Sequence, residues 1–466
     1  IVAAKLPAEL LDRGLELLRS EVMDQFGSGL IWSTVGFGEL SRQRLAAGLG
    51  SVAPAGSSKL PPTELVPGGS VAGMLVDGDL RLGATGTVTD RTGDNLLAFG
   101  HAFLGVGELS VPMATSEVVT VLPSQFRSFK IANLGTEVGA FELDRAAGMR
   151  GRLGAVAPMV PLHISIAGQQ RTDFELRLAD LPQLSPTLAA ISVFAALESA
   201  TQAGGSQGLD LAARLDLAEH GELLVQQSFD GDSAAFEAAI YLLAFTSFVA
   251  NNPMAEVRLA SIHVELEQYP QPRLARLVEA HASRTRLQPG ERLTLNLDLM
   301  AYRGERFRES IEMELPTSLP DGRYSLLVGD GTSVDAARLA IERSAPVRFH
   351  QALNLLRGLH SRRDLVVLGV FGGQGLAVAG ETLPQLPGSV RSIWGAAPSG
   401  SAQPLRLAVA QQKERRLETP LSGLLRVDLE VRRREPVTPG AAPPPFAGRK
   451  PAAAGRSPGE PGEADS

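Results

Sequence analysis

Apolar and polar positions mark out two kinds of segment along this chain. Positions 6–26 repeat apolar residues at Leu10, Leu11, Leu15, Leu17, Leu18 and Met23, a spacing that predicts an amphipathic helix. A short strand over 32–37 and a small helix over 40–49 follow. Positions 50–62, rich in Ser, Pro, Gly and Ala, read as a linker.

From position 70 the period changes to two. Strands are predicted at 71–76 and 80–89 around Asp77-Gly78, a strong hairpin signal, then at 96–99, 117–122, 129–132, 137–143, 159–167 and 174–178. Short strands at this spacing indicate a mostly antiparallel barrel or sandwich. Ser185-Pro186 opens a helix running to 200, because a capping residue precedes a proline in the first turn. Positions 209–229 fold back at His220-Gly221 as a hairpin, and Asp232-Ser233 starts an apolar helix over 234–250 that Asn251-Asn252-Pro253 stops.

A second β-rich region has strands at 260–266, 277–282, 292–302, 310–315 and 324–328. Helices at 335–341 and 349–359 come next, then strands at 365–371, 405–409 and 424–431. Leu293, Leu295, Leu297 and Leu299 alternate with polar residues, so one face of that strand is buried. The region reads as an immunoglobulin-like sandwich with helical insertions. Positions 436–466 are Pro, Gly, Ala and charge, which bury too little apolar surface to order, and read as a disordered tail.

The expected fold class is therefore mainly β with α insertions, an α+β chain in four parts. These are a lead-in segment and linker over 1–58, a β-rich domain with two helices over 59–255, a β-sandwich-like C-terminal domain over 256–435, and the tail over 436–466.

Composition narrows the chemistry. At 44% hydrophobic and 20% charged the 466 residues suit ordinary globular domains, and no run approaches the roughly 20 apolar residues of a membrane-spanning helix. The net charge is −7 and the basic residues are scattered arginines, with lysine only at Lys5, Lys59, Lys130, Lys413 and Lys450. That lacks the concentrated basic face of a nucleic-acid binder. Cysteine is absent, which removes disulfides, thiolate metal sites and cysteine nucleophiles.

Outside position 101 the histidines His163, His220, His263, His281, His350 and His360 show no paired spacing such as H-E-x-x-H, so no metal is expected. His163 and His263 lie on strand patterns and read as satisfied core histidines. No cofactor is expected either: the G-G-Q-G after 365–371 lacks the third glycine and the following helix of a dinucleotide fingerprint. With only Trp32 and Trp394, there is little aromatic surface for stacking sugars.

One stretch places an ionisable side chain on backbone shaped to present it. In G-T-V-T-D-R-T-G-D-N-L-L-A-F-G-H-A-F-L-G-V-G, from Gly86 to Gly107, a buried strand runs into a glycine turn carrying His101. Gly100, Gly105 and Gly107 permit conformations closed to other residues. A histidine held there suits a general base near neutral pH, and equally a histidine that closes a tight turn on a carbonyl.

The flanking residues add to this. G-T-V-T (Gly86 to Thr89), L-L-A-F-G-H-A-F-L-G-V-G, L-S-V-P-M-A-T-S-E-V-V-T-V-L-P-S (Leu109 to Ser124) and F-K-I-A-N-L-G-T-E-V-G (Phe129 to Gly139) occur in that order. Over about Leu65 to Ile166 the chain resembles the SpoIVB-type serine peptidase family. It is closer still to the long envelope-associated proteins that carry such a domain in acidobacteria and deltaproteobacteria.

The resemblance implies a Ser/His/Asp peptidase acting on a protein or peptide substrate, with His101 as general base and an exported location. The family's serine lies in a G-M-S-G-S-P loop, which these 466 residues lack. The nearest echo, Gly148-Met149-Arg150-Gly151, has arginine at the nucleophile's place. In the long envelope-type members the serine loop lies upstream of the histidine segment, so the chain is expected to be N-terminally incomplete. Ser110, Ser116 and Ser124 are nearby hydroxyls in strand or turn contexts. Asp90 and Asp94 are the candidates for orienting His101, with Glu117 and Asp144 behind them; both hairpin aspartates also suit turn residues. The alternative is a non-catalytic envelope protein, binding or scaffolding, with a degenerate peptidase-like domain.

Overall fold

A computed structural model of the chain describes residues 30–57, 65–122, 129–168, 170–200, 206–342, 346–373, 375–378, 381–383 and 402–433. The helix expected over 6–26 and the tail over 436–466 lie outside them. Among the described residues the chain is mainly β with five helices, and no helix is long and apolar enough to cross a membrane.

Eight strands come first: β1 (Ile31–Val35), β2 (Ser51–Pro54), β3 (Ser70–Gly78), β4 (Arg81–Thr92), β5 (Asn95–Ala98), β6 (Gly107–Leu122), β7 (Phe129–Arg145) and β8 (Gly148–Leu153). Because β3 pairs with both β6 and β4, the order β3-β6-β7-β8-β5-β4 returns to β3 and closes a ring of six antiparallel strands. Closure gives each of these strands a partner on both sides over part of its length. β1 pairs with β4, and β2, inside the stretch read as a linker, runs parallel to β1.

The β3–β4 turn falls at Asp79 and Leu80, just past the Asp77-Gly78 pair that signals it. β6 and β7 are longer than their apolar periodicity indicates. Register shifts, at Met113/Ala114 and Val118/Thr120 among others, break the period of two that a sequence reading relies on.

β9 (Met159–Ala167), β10 (Thr172–Ala179), β11 (Gln207–Leu217), β12 (Gly221–Gly231) and β13 (Leu259–Tyr269) extend the same sheet outward from β3 in the order β10-β9-β13-β11-β12. The strand expected to open the second region is thus part of the first: β13 pairs antiparallel with β11 and parallel with β9. Helices α1 (Glu39–Leu49), α2 (Ser185–Ala200) and α3 (Ala234–Ala250) pack on this layer, and Leu162, Ile262, Leu188 and Phe245 share one core with Val71 and Leu82 of the ring. α1 begins at Gly38, which has no side chain to cap it. Glu198 of α2 does so instead, accepting the Leu40 and Ser41 N–H groups at 2.8 and 2.9 Å.

The remaining elements are β14 (Ala275–Ala282), β15 (Arg286–Leu287), β16 (Arg292–Met300), β17 (Arg306–Glu314), β18 (Gly322–Asp330), α4 (Gly331–Glu342), α5 (Phe349–Arg357), β19 (Asp364–Gly372), β20 (Leu376–Val378), β21 (Glu381–Leu383), β22 (Ala402–Pro404), β23 (Leu407–Arg416), β24 (Leu421–Ser422) and β25 (Leu424–Val431). Sheets β17-β16-β14-β24 and β15-β25-β18-β19-β23 face one another across Leu295, Leu297, Leu326, Val328 and Val367. All four alternating leucines of β16 are buried, as their spacing requires. α5 reads from sequence as an insertion of this part, yet Phe349, Leu353 and Leu356 join the first core. Arg357 fixes it there, donating to the Glu222 and His220 carbonyls at 2.7 and 3.1 Å.

His360 clamps α4 to β23. Its Nδ1 lies 2.9 Å from an oxygen of Asp335, itself 2% exposed, and its Nε2 lies 2.6 Å from Glu414. The Asp335 bond, working against burial and aided by Glu414, raises the imidazole from 6.5 to about 8. A folded value above the unfolded one means the clamp's contribution is complete below pH 6.5 and is lost as pH rises through 8. Urea titrations at pH 6 and pH 9 should differ by about 2 kcal/mol from this group, and His360→Gln should remove that difference. An identical pH dependence in both proteins refutes the clamp.

Candidate functional site

β5 delivers the chain to Phe99, whose N–H donates to the Thr87 carbonyl at 2.9 Å. Phe99 and Gly100 then take φ of 74° and 72°, left-handed backbone that turns His101 out of the strand. For phenylalanine this conformation costs energy, and only surrounding structure holds it. Here the Phe99 ring stands edge-on to Phe103 and Phe141, with centroids 5.5 and 5.8 Å away. It also fills the space above Gly86, where a Cβ would come within 2.5 Å of the ring. The His101 imidazole meets this ring edge-on at 6.0 Å.

The far side of the loop is held by charge. Asp144 of β7, 1% exposed, accepts the N–H of Phe103 at 2.8 Å and those of Leu104 and Gly105. Three consecutive amides converging on one carboxylate form an anion nest, filled by the protein's own side chain. Gly105 and Gly107, with φ of 73° and 85°, then lead the chain into β6. Asp144, a distant acid candidate in the sequence, therefore spends its carboxylate on the loop backbone.

His101 is half-buried, and its Nδ1 lies 2.7 Å from the Ala102 carbonyl oxygen. A carbonyl only accepts, so in the neutral ring Nδ1 carries the proton and Nε2 keeps its lone pair. This is the turn-closing bond that the glycine context suggested, and it also fixes the tautomer a general base requires.

Neither hairpin aspartate joins His101. Asp94 sits in the turn at the opposite end of β5, where its carbonyl accepts Leu153 N–H at 2.8 Å, and Asp90 stands exposed opposite Leu97. Among the described residues the only hydrogen bond of the His101 ring is to Ala102. Glu117 is exposed opposite Asn133, Ser110 is half-buried on β6, and Ser116 keeps a buried Oγ without a partner there. Ser124 lies outside the described residues. The G-M-R-G echo is β8 itself and neighbours the loop: Met149 pairs with Ala98 and Arg150 with Leu97.

No family model, no curated protein and no solved structure matches this chain.

A second histidine group lies on the outer face of β9 and β13. His163 and His263 are in register, their rings stacked at 4.7 Å and 10°. They are not core histidines as the strand pattern suggested. Leu162, Ile164, Ile262 and Val264 take the inner face, which leaves the alternate positions outside. His163 pairs with Glu175, and His263 Nε2 lies 3.2 Å from Ser261 Oγ. Burial, then the nearby Arg214 and His163, hold His263 below its ordinary pKa.

The Ser261 hydroxyl donates to Asp216. Its proton therefore points at a carboxylate and not at the imidazole, so the group has a triad's residue types without a triad's order. A cleft of about 330 Å³ opens beside this face, between β11 and residues 361–363. Asp210 on its wall binds Arg273 and Arg363 at 2.7 and 3.2 Å.

Proposed function

We propose that this chain is the C-terminal part of an exported SpoIVB-like serine peptidase that hydrolyses peptide bonds in a protein or peptide substrate, with His101 as general base. The observation that carries this reading is the His101 loop: a left-handed turn that engages Nδ1 and leaves Nε2 with its lone pair. The closed ring of six strands serves on this reading as the peptidase barrel. The nucleophile comes from a glycine-flanked serine outside these 466 residues, since the G-M-S-G-S-P loop is not among them.

The chemistry is acyl transfer. His101 Nε2 takes the serine Oγ proton as the oxygen attacks the substrate carbonyl, and the imidazolium gives it to the leaving amine. A water deprotonated by the same nitrogen then releases the acyl group as the acid and restores the serine. The Ala102 carbonyl fills the tautomer-fixing place that a carboxylate holds in a full triad. The fixed amides of the loop are already bound to Asp144, so oxyanion donors come from the serine segment.

A second reading, a non-catalytic envelope binding or scaffolding protein, is favoured by Arg150 at the serine's place and by the full engagement of Asp144. Fluorophosphonate labelling of the full-length protein separates the two. Labelling that disappears in His101→Ala is the expected result. No labelling of folded protein establishes the scaffold, and labelling indifferent to His101→Ala removes the base.

A further inference from the structure

We infer that Glu279, His281 and Asp298 form a binding site for one divalent first-row transition ion, of the Zn²⁺ type, on the outer face of the β14–β16 pair. The donor atoms of the three side chains all lie within 4.8 Å of one another.

The backbone arranges them. Ala275 and Leu277 of β14 face the core, and so do Ala280 and Ala282, which means the inward parity changes between Leu277 and Ala280. The register shift at Leu277/Glu279 makes that change. It turns Glu279 and His281 outward, onto the face that already carries Asp298. Without the bulge Glu279 would point into a core of leucines.

The resulting geometry suits an ion. His281 Nε2 and Glu279 Oε2 are 2.9 Å apart. Two tetrahedral donors about 2.1 Å from an ion stand about 3.4 Å apart, so the ion displaces the proton shared by this pair and needs the two exposed side chains to part by only about 0.5 Å. Glu279 and Asp298 are direct cross-strand partners, and like charges in that relation repel. Arg308, paired with Asp298 at 2.7 Å but 83% exposed, offsets one of the two carboxylates. A divalent ion offsets both, and Arg308 then orients Asp298 as a ligand's outer partner does. One imidazole with two carboxylates favours Zn²⁺ and its neighbours over Ca²⁺ or Mg²⁺, which select oxygen alone. The spacing that carries the site in the sequence is E-A-H, two ligands one strand-repeat apart, with its third ligand 17 positions beyond His281.

Calorimetric titration of the chelator-stripped full chain with Zn²⁺ tests this. The expected result is one saturable equivalent with a rise in melting temperature, both lost in His281→Ala and in Glu279→Gln and both kept in His163→Ala. All three side chains lie at the surface, so the variants should match the metal-free wild type in melting temperature. Absence of a saturable step overturns the site, as does a step that survives His281→Ala. Competition by equimolar Mg²⁺ or Ca²⁺ overturns the assignment to a transition ion.

Discussion

Asp144→Ala is expected to lower the stability of the six-stranded ring by about 3–5 kcal/mol. The carboxylate is buried and accepts three successive N–H groups of the histidine loop. Truncation leaves three amides facing a cavity, two of them on the buried residues Phe103 and Leu104. Each buried donor without a partner costs about 1–3 kcal/mol. Asp90→Ala is the control, because its carboxylate is exposed and the change should stay within about 0.5 kcal/mol. Urea denaturation followed by tryptophan fluorescence reads both directly, since Trp32 packs against Phe103 at 5.2 Å. A loss under about 1 kcal/mol for Asp144→Ala would show that the loop stands without its nest.

Gly86→Ala should be the next most costly change near the site, at about 1–3 kcal/mol. The added methyl would sit 2.5 Å from the Phe99 ring, which is caught between Phe103 and Phe141 and cannot retreat. Phe99 already holds a left-handed backbone, so the push is transmitted to Gly100 and His101. The imidazole nitrogens should report it as a loss of the single Nδ1–H tautomer in nitrogen-resolved NMR. Gly93→Ala separates crowding from backbone strain: its φ is 61° with open space around it, and about 1 kcal/mol is expected there. If Gly86→Ala costs no more than Gly93→Ala, the ring is not wedged. The double variant Gly86→Ala with Phe99→Leu should recover part of the loss, because neighbours that share one space do not add.

Element type was legible wherever one face of an element is uniformly apolar. Strands at 159–167 and 424–431 and the helix over 234–250 occur at those bounds, since their burial alternates or repeats without interruption. β8 was not legible, because glycines at Gly148 and Gly151 erase its apolar phase. The register shifts between β6 and β7 likewise hid the first part of β6 and made β7 read as two separate strands. At the site, His101 and its three glycines stood out because left-handed backbone needs them. The role of Asp144 did not, because 41 residues separate it from Phe103 and only the pairing of β6 with β7 brings them together.

The sequence by itself determined the mainly β class, most of the element order, and which histidine sits on a shaped turn. These follow from local periodicity and from the φ preferences of glycine, which act over a few residues. Tertiary structure alone decided that β13 completes the first sheet, that α5 packs against that sheet's core, and that β3 closes the ring by pairing on both edges. It also decided that His163 meets His263 across 100 positions, and that His101 meets neither Asp90 nor Asp94. Strand partnership and register join residues far apart in the chain, and a period of two says which face a side chain takes but not which strand lies beside it.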